Sequence, residues 1–319
     1  MWTDRYFRSR EKTMTKITVI WDAMLDIYVF WNTDRKNPES PMPLLRVEKQ
    51  EIRLWWASNV AHNIANLEWN VELISLLWDD SNKELFNKIC EEKNIKVHWL
   101  IMNAPTITKT RYLDSQYKQQ LLRVDYEEKK KITNEQIESL KSILIESQPE
   151  IILISDYDKW IITPESVETI KNYANTNNKK ILVDIKPQNV ELFYDVFLVK
   201  PNFKEFCEMM NKQWIENTEE NISNYGKQFV QKYRTNIVIT RWWKWSSLIT
   251  KEWEVYHIPS EELKVFDVSW AWDTYIATLT YAISNNYTLL DAIKLSNKAS
   301  GVVVWKVGTA AITREELWI

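Results

Sequence analysis

The stretch Asp267-Val-Ser-Trp-Ala-Trp-Asp273-Thr274 runs straight into an apolar helical segment, Tyr275-Ile-Ala-Thr-Leu-Thr-Tyr-Ala-Ile283. Read letter by letter it makes no anion site, because two indoles stand where a ligand would have to approach the backbone. With glycine in place of Trp270 and Trp272 it becomes a small-residue turn opening a helix. The free N–H groups at such an N-terminus, around 270, Ala271 and 272, form an anion hole for a phosphoryl group. Asp273 then stands where a carboxylate can take a proton from an attacking hydroxyl. The competing reading of Asp273 is a plain helix N-cap.

The same substitution of indole for small residue recurs along the chain. Trp55-Trp56 sits between a strand-like and a helix-like run, and Trp242-Trp243-Lys244-Trp245 sits between two β-rich runs. Trp69-Asn70 and Trp78-Asp79 also fall at chain punctuation. Turns of this kind ask for positive φ or bare backbone, which glycine supplies. The chain holds 18 Trp and 3 Gly in 319 residues. A soluble protein of this length should hold about 22 Gly at the usual frequency of roughly 7%, close to the two counts combined. The expectation is a gene whose UGA codons mean glycine and have been read as tryptophan. Trp2, Trp99, Trp214 and Trp318 lack strong local context for that assignment. The alternative is a Trp-rich protein that stacks sugars on indole faces, but such residues should follow a helical or alternating period.

Composition narrows the class. The net charge is −3 with dispersed basic residues, which argues against a nucleic-acid partner. Cys90 and Cys207 are too few for a disulfide framework, so a cytoplasmic setting is expected. Residues 1–13 are polar and charged, without the apolar core of a signal peptide, and read as an N-terminal extension. Met14 is an alternative start. No apolar run reaches the length of a membrane span. His62, His98 and His257 are scattered, which disfavours a histidine metal site or triad.

Short β-branched runs alternate with amphipathic stretches, the pattern of an α/β fold with a mostly parallel sheet and helices on both faces. Strands are expected at Ile17–Ile20, Val71–Leu76, Ile151–Ser155, Ile181–Asp184, Val196–Val199 and Ile237–Thr240. Helices are expected at Ser58–Leu67, Asn82–Lys93, Glu135–Glu146, capped by Thr133, and Pro164–Ala174, capped by Thr163. Residues 28–52, with Pro38, Pro41 and Pro43, and residues 106–124 break this alternation. They read as excursions forming a small β lid on a single domain over 14–319.

In chain order the motifs resemble those of the ribokinase-like (PfkB) sugar kinases almost end to end, from about residue 17 to 313. They are Trp21-Asp-Ala-Met-Leu-Asp26, Pro38-Glu-Ser-Pro-Met-Pro43, Trp55-Trp-Ala-Ser-Asn-Val-Ala-His-Asn63 and Pro105-Thr-Ile-Thr-Lys-Thr-Arg111. Gln119-Gln-Leu-Leu-Arg-Val-Asp125, Ser155-Asp-Tyr-Asp-Lys159, Pro201-Asn-Phe-Lys-Glu205, the stretch at 267–274 and Gly301-Val-Val-Val-Trp-Lys-Val-Gly-Thr309 complete the set. Each is weak alone; the ordered set is specific. Within the family the chain most resembles the kinases of D-glycero-β-D-manno-heptose 7-phosphate. Positions 21, 55, 56, 78, 160, 242, 245, 270, 272 and 305 are where the family pattern carries glycine.

The resemblance implies ATP-dependent phosphorylation of the anomeric hydroxyl, with Asp273 as catalytic base and 270–272 as anion hole. Asn202 and Glu205 match the family's Asn-x-x-Glu motif and would organise Mg²⁺, through water; an Asn ending a strand before a Glu in a first helical turn is the plainer reading. Phe203, Lys204, Thr240, Arg241 and Asn297 fall where the family lines its ATP cleft. Asp22, at the end of the first strand, Asn59 and Asn63, spaced i, i+4, and Trp55 and Trp56 are the sugar-side candidates, with Asp26 behind them. Lys109 and Arg111 lead the cations for a sugar phosphate, with Arg123, Lys159 and Lys186 unranked. Asp184-Ile-Lys-Pro187 and Asp158 depart from the family pattern. The expected role is in ADP-heptose synthesis for lipopolysaccharide core, as a homodimer paired through the β excursions, with the nucleotidyltransferase half a separate protein. The alternatives are another PfkB sugar or nucleoside kinase, or a non-catalytic sugar- or nucleotide-binding protein if the tryptophans stand.

Overall fold

Apolar β-branched runs that can be covered on both faces become buried parallel strands, and the computed structural model lines them up in one nine-stranded sheet. The structure describes residues 16–22, 24–33, 44–54, 57–101, 106–128, 130–156, 161–212, 215–241, 246–259, 271–304, 311–317 and 319. The strands of this sheet are β1 (Lys16–Asp22), β4 (Asn70–Leu77), β5 (Lys96–Ile101), β8 (Ile151–Ser155), β9 (Lys180–Asp184), β10 (Leu198–Lys200), β11 (Asn236–Thr240), β12 (Ser246–Ile249) and β13 (Val255–Ile258). Their spatial order is β13-β12-β11-β10-β9-β8-β1-β4-β5. All pairs are parallel except β11–β12 and β12–β13. The order reverses between β1 and β8, so the crevice beyond their carboxyl ends is a switch point at which such sheets bind ligands.

The remaining strands, β2 (Met24–Asn32), β3 (Arg46–Leu54), β6 (Ile107–Asp114) and β7 (Gln120–Tyr126), form a second sheet in the order β3-β2-β6-β7. Both sequence excursions therefore meet in one lid. Strand β2 starts at Met24, earlier than the excursion read from residue 28, so Asp26 belongs to the lid and not to the loop after β1.

The helices are α1 (Ala57–Asn66), α2 (Ser81–Glu92), α3 (Asn134–Ser147), α4 (Pro164–Thr176), α5 (Phe203–Met209), α6 (Glu219–Tyr233), α7 (Ala271–Ser284), α8 (Leu289–Val303) and α9 (Arg314–Leu317). Their starts follow from local chemistry. Thr133 and Thr163 each accept a hydrogen bond from the amide three residues on, while Gln136 and Ser166 return one to the cap backbone. Each such cap is worth about 1 kcal/mol. The core is continuous across the large sheet, with Val19, Leu73, Leu153, Leu182, Leu198 and Ile237 fully or almost fully excluded from solvent. Strand β10 begins at Leu198, two residues later than the apolar run suggests, although the Phe197 amide already donates to the Ile181 carbonyl of β9 at 3.0 Å. Among the described residues no helix is long and apolar enough to cross a membrane.

At the amino-terminal end of the sheet, away from the switch-point crevice, buried Glu72 ties four elements together. It meets Lys16 Nζ at 3.1 Å, Lys96 Nζ at 3.3 Å and His98 Nε2 at 3.0 Å, and accepts from Ser147 Oγ at 2.6 Å. Burial opposes its charge, but Ser147, Lys16, His98 and Lys96 outweigh it and hold the carboxyl at about 2. A depressed carboxylate stabilises the fold above its unfolded pKa and loses that contribution as pH falls toward the folded value, here between about 4.5 and about 2. Glu72→Gln should therefore lose on the order of 2–3 kcal/mol at pH 7, read by urea unfolding. The gap from the parent should close as pH drops through that window.

Candidate active site

Parallel strands end side by side, so residues at their carboxyl ends become neighbours however far apart they lie in sequence. Strands β8, β9 and β10 deliver Asp156, Asp184 and Lys200 to one edge. Lys200 Nζ lies 2.9 Å from Asp184 Oδ1, the lysine buried and the aspartate half-buried. Asp156, the residue after β8, accepts from the Lys186 amide at 3.1 Å and from Asn189 Nδ2 at 3.0 Å. Burial and the neighbouring Glu205 push the Asp184 carboxyl up, against the pull of Lys200.

Asn202 follows β10 and starts α5. Its Oδ1 accepts from the Glu205 amide and Glu205 Oε2 accepts from the Asn202 amide, both at 2.9 Å. The Asn-x-x-Glu motif is thus built as a capping box. Glu205 Oε1 also takes a 2.5 Å bond from Lys186 Nζ. Burial alone would lower the Lys186 pKa, yet Glu205, Asp184 and Asp156 raise it, so the lysine is a fixed cation. Among the described residues Asp156, Asp184, Glu205 and Asp273 outnumber Lys186 and Lys200 along this edge. Hard oxygen donors with excess negative charge suit a magnesium ion that keeps its waters and shares nucleotide phosphates. No group of three or more acidic, His or Cys residues forms a ready-made metal cage among the described residues.

Asp273 occupies the first turn of α7, with its side chain buried. Asn59 Nδ2, from α1, donates to its Oδ2 at 3.0 Å. Burial pushes the Asp273 carboxyl up to about 8; Asn59 and Lys200 favour the charged form and Asp184 opposes it. The start of α7 is pinned from the other side, where Ser300 Oγ of α8 donates to the Ala271 carbonyl at 3.0 Å. A dry, held carboxyl with a pKa near neutrality is a competent proton acceptor.

Asn59 and Asn63 do share one face of α1, as their spacing implies, but that face is buried. Asn63 Nδ2 donates to the Asn59 carbonyl at 2.8 Å, and its Oδ1 accepts from Thr274 Oγ1 at 3.3 Å and the Ile312 amide at 3.2 Å. Asn63 thus joins α1 to α7 and to the segment at Ile312. Asp26 is likewise turned to the lid: Arg111 Nε lies 3.0 Å from its Oδ1, and Arg111 Nη1 donates to Gln120 Oε1 at 3.1 Å. Lys109 stands in register between Asp26 of β2 and Asp125 of β7, largely buried. Arg123, half exposed, pairs with Asp125 at 2.8 Å.

On the other side of the edge, Thr240 pairs with Asn202 in an isolated bridge. Asn297 Oδ1 accepts from Ser246 Oγ at 2.8 Å, while its buried Nδ2 has no partner among the described residues, a donor left for a ligand acceptor. Phe203 packs against the core and Lys204 is exposed. Arg241 follows β11 on this same side. Its guanidinium is buried, with Nε on Asn217 Oδ1 at 2.7 Å and Nη1 on Ser247 Oγ at 2.9 Å.

Trp55, Trp56, Lys159 and Trp270 lie outside the described residues, as does the side chain of Asp22; Ala271 and Trp272 are the first two residues of α7. The Lys200–Asp184 pair and Asp156 were missed by sequence reading. Applying the carboxyl-edge rule to every strand would have flagged all three.

The family model described as pfkB family carbohydrate kinase matches residues 14–316. The bifunctional protein HldE of Haemophilus influenzae is 34% identical over 313 residues, covering 97% of this chain and 64% of that protein. HldE of Actinobacillus succinogenes is 34% identical over 306 residues, covering 95% and 62%. The chain thus spans somewhat under two thirds of the length of these relatives. Among solved structures, phosphofructokinase-2 of Escherichia coli in complex with potassium superposes with a TM-score of 0.79 at 15% identity, over 96% of this chain and 97% of that one. The ribokinase of Thermotoga maritima gives 0.70 at 18% identity, over 95% and 98%. At these identities the two structures speak to the fold.

Carboxyl-carbon NMR should find Asp273 titrating near 8 in the ligand-free protein. Asn59→Ala removes a bond to the charged form, so the midpoint should rise; an unchanged midpoint would show that Asn59 does not hold this carboxylate.

Proposed function

The chain belongs to the pfkB family of carbohydrate kinases, and from that premise we propose that it transfers the γ-phosphoryl group of ATP to the anomeric hydroxyl of D-glycero-β-D-manno-heptose 7-phosphate. The observation that carries this reading is Asp273, buried in the first turn of α7, held by Asn59 and shifted to about 8. Asp273 takes the proton from the sugar hydroxyl as the oxygen attacks phosphorus in line. Asn59 fixes the carboxylate, so little reorganisation remains at the moment of reaction. The amides at the start of α7 face the transferring phosphoryl group.

Asn202 and Glu205, with Asp184 and Asp156 nearby, would hold a hydrated magnesium ion accompanying the nucleotide, which would supply neutralisation of phosphate charge and favour the ionised form of Asp273. Asn297 Nδ2 and Thr240 serve the nucleotide side. Lys109 and Arg111, joined by Arg123 at the lid's edge, serve the 7-phosphate, the bidentate geometry of Arg suiting that anion. The heptose assignment rests on the Lys109-Thr-Arg111 and Gln119-Gln120 run together with the 34% identity to the HldE proteins. The product would feed ADP-heptose synthesis in the cytoplasm, where Cys90 and Cys207, both buried and free, stay reduced.

We extend the reading to assembly as a homodimer. Strand β7 is an edge strand, exposed along its whole length, and Leu122, Val124 and Tyr126 alternate onto one face of it. An exposed apolar edge of this kind is covered in a working protein. A second copy of the same lid offers the matching surface.

Asp273→Asn should lower kcat by about 10²–10⁴-fold while ATP still binds, measured by coupled ADP release and by calorimetry. Heptose 7-phosphate should be turned over in preference to ribose, fructose and fructose 6-phosphate; turnover of one of those alone would replace the heptose assignment. Val124→Lys should shift sedimentation from dimer to monomer, and a parent that already sediments as a monomer would end the assembly proposal.

A further inference from the structure

The hairpin joining β12 and β13 has a recognisable turn chemistry. The Trp253 amide donates to the Thr250 carbonyl at 3.0 Å, and the Thr250 amide donates to the Glu254 carbonyl at 3.0 Å. This is a type I turn closed by a bulge residue in the left-handed region, where glycine is the standard occupant. Trp253 fills that position with φ of 70°, and its side chain is 49% exposed. Among the described residues it is the one aromatic with positive φ; the others are Asn, Asp and flexible polar residues. A branched-ring side chain gains nothing there and strains the backbone.

Strand β2 tells the same story by a different route. Its pairing with β3 slips between Phe30 and Trp31, a bulge at which glycine is common. The Trp31 indole is buried, and its Nε1 has no hydrogen-bond partner among the described residues. Strand β12 runs antiparallel to β11, so the turn at 253 lies at the end of the sheet opposite Asp184 and Lys200. The chain does use glycine where packing demands it: a Cβ on Gly226 in α6 would come within 2.7 Å of Ile249 Cδ1.

We propose that the cell of origin inserts glycine at positions 31 and 253, and at 270 and 272 of the phosphate loop, by reading UGA as glycine. The composition, 18 Trp against 3 Gly, supplies the mechanism. The turn and the bulge supply two positions that composition alone did not single out. On the kinase reading proposed above, glycine at 270 and 272 would leave the backbone open to a phosphoryl group.

Peptide mass spectrometry of the protein purified from its native source decides the matter. The tryptic peptides 17–35, 252–264 and 265–294 should carry glycine masses at 31, 253, 270 and 272. Indole masses at 253, 270 and 272 would overturn the proposal. A second measurement tests the backbone argument in the recombinant chain: Trp253→Gly should melt higher than both the parent and Trp253→Ala. An Ala variant as stable as the Gly variant would remove position 253 from the set. Neither readout involves turnover, so the kinase reading and this one can fail separately.

Discussion

A carboxylate that is to act as a base in a closed site has to be kept from water and kept in place, and these demands oppose each other. Burial drives Asp273 toward its neutral form; the Asn59 amide, from a helix 214 residues away in sequence, leads the groups that favour the charge, with Lys200 behind it. That bond joins α1 to α7, and the surrounding contacts exist to make it dependable. Asn63, one turn on from Asn59, binds Thr274 and the Ile312 amide, and Ser300 holds the first carbonyl of α7. A buried polar group left without partners costs about 1–3 kcal/mol. The polar seam between these helices is therefore stable only when its members are all in register. Such a seam fixes the helix geometry more sharply than apolar packing, which tolerates small slides.

The second constraint is charge. Asp156, Asp184, Glu205 and Asp273 approach one edge, and Lys186 and Lys200 answer them only in part. The protein uses some of these groups twice. Glu205 caps α5, binds Lys186 and stands in the motif that would organise the metal. A group with both structural and chemical duties is poorly replaced even by a close relative, since Gln at 205 would keep the cap and lose the charge.

What could be read from sequence follows from how local each determinant is. Strands such as Ile151–Ser155 and helices such as Pro164–Thr176 announce themselves through β-branched runs and through caps three residues long. Asp273 was legible because a helix start is a local feature. The partners were harder. That Asn63 is buried and bound to Ile312, or that Arg111 turns to Asp26, depends on register between elements distant in the chain. The bonds of Arg241 to the Asn217 and Ser247 oxygens depend on such register too. Lys200 and Asp184 escaped notice because each, alone, is an ordinary charge at a strand end. Only the pairing of β9 with β10 makes them a unit.

The tryptophans expose a division of labour between fold and function. Sheet order, register and helix caps are set by residues that UGA reading would leave untouched: the apolar strands, Thr133, Thr163 and Asn202. Turn residues contribute less to that specification. A misplaced side chain at a hairpin tip strains one residue, and solvent accommodates the ring, as Trp253 shows. A phosphate loop has no such slack, because the ligand must touch the backbone itself, and a side chain at that point displaces the substrate. The architecture is therefore robust to the identity of the turn residues, while the chemistry is not.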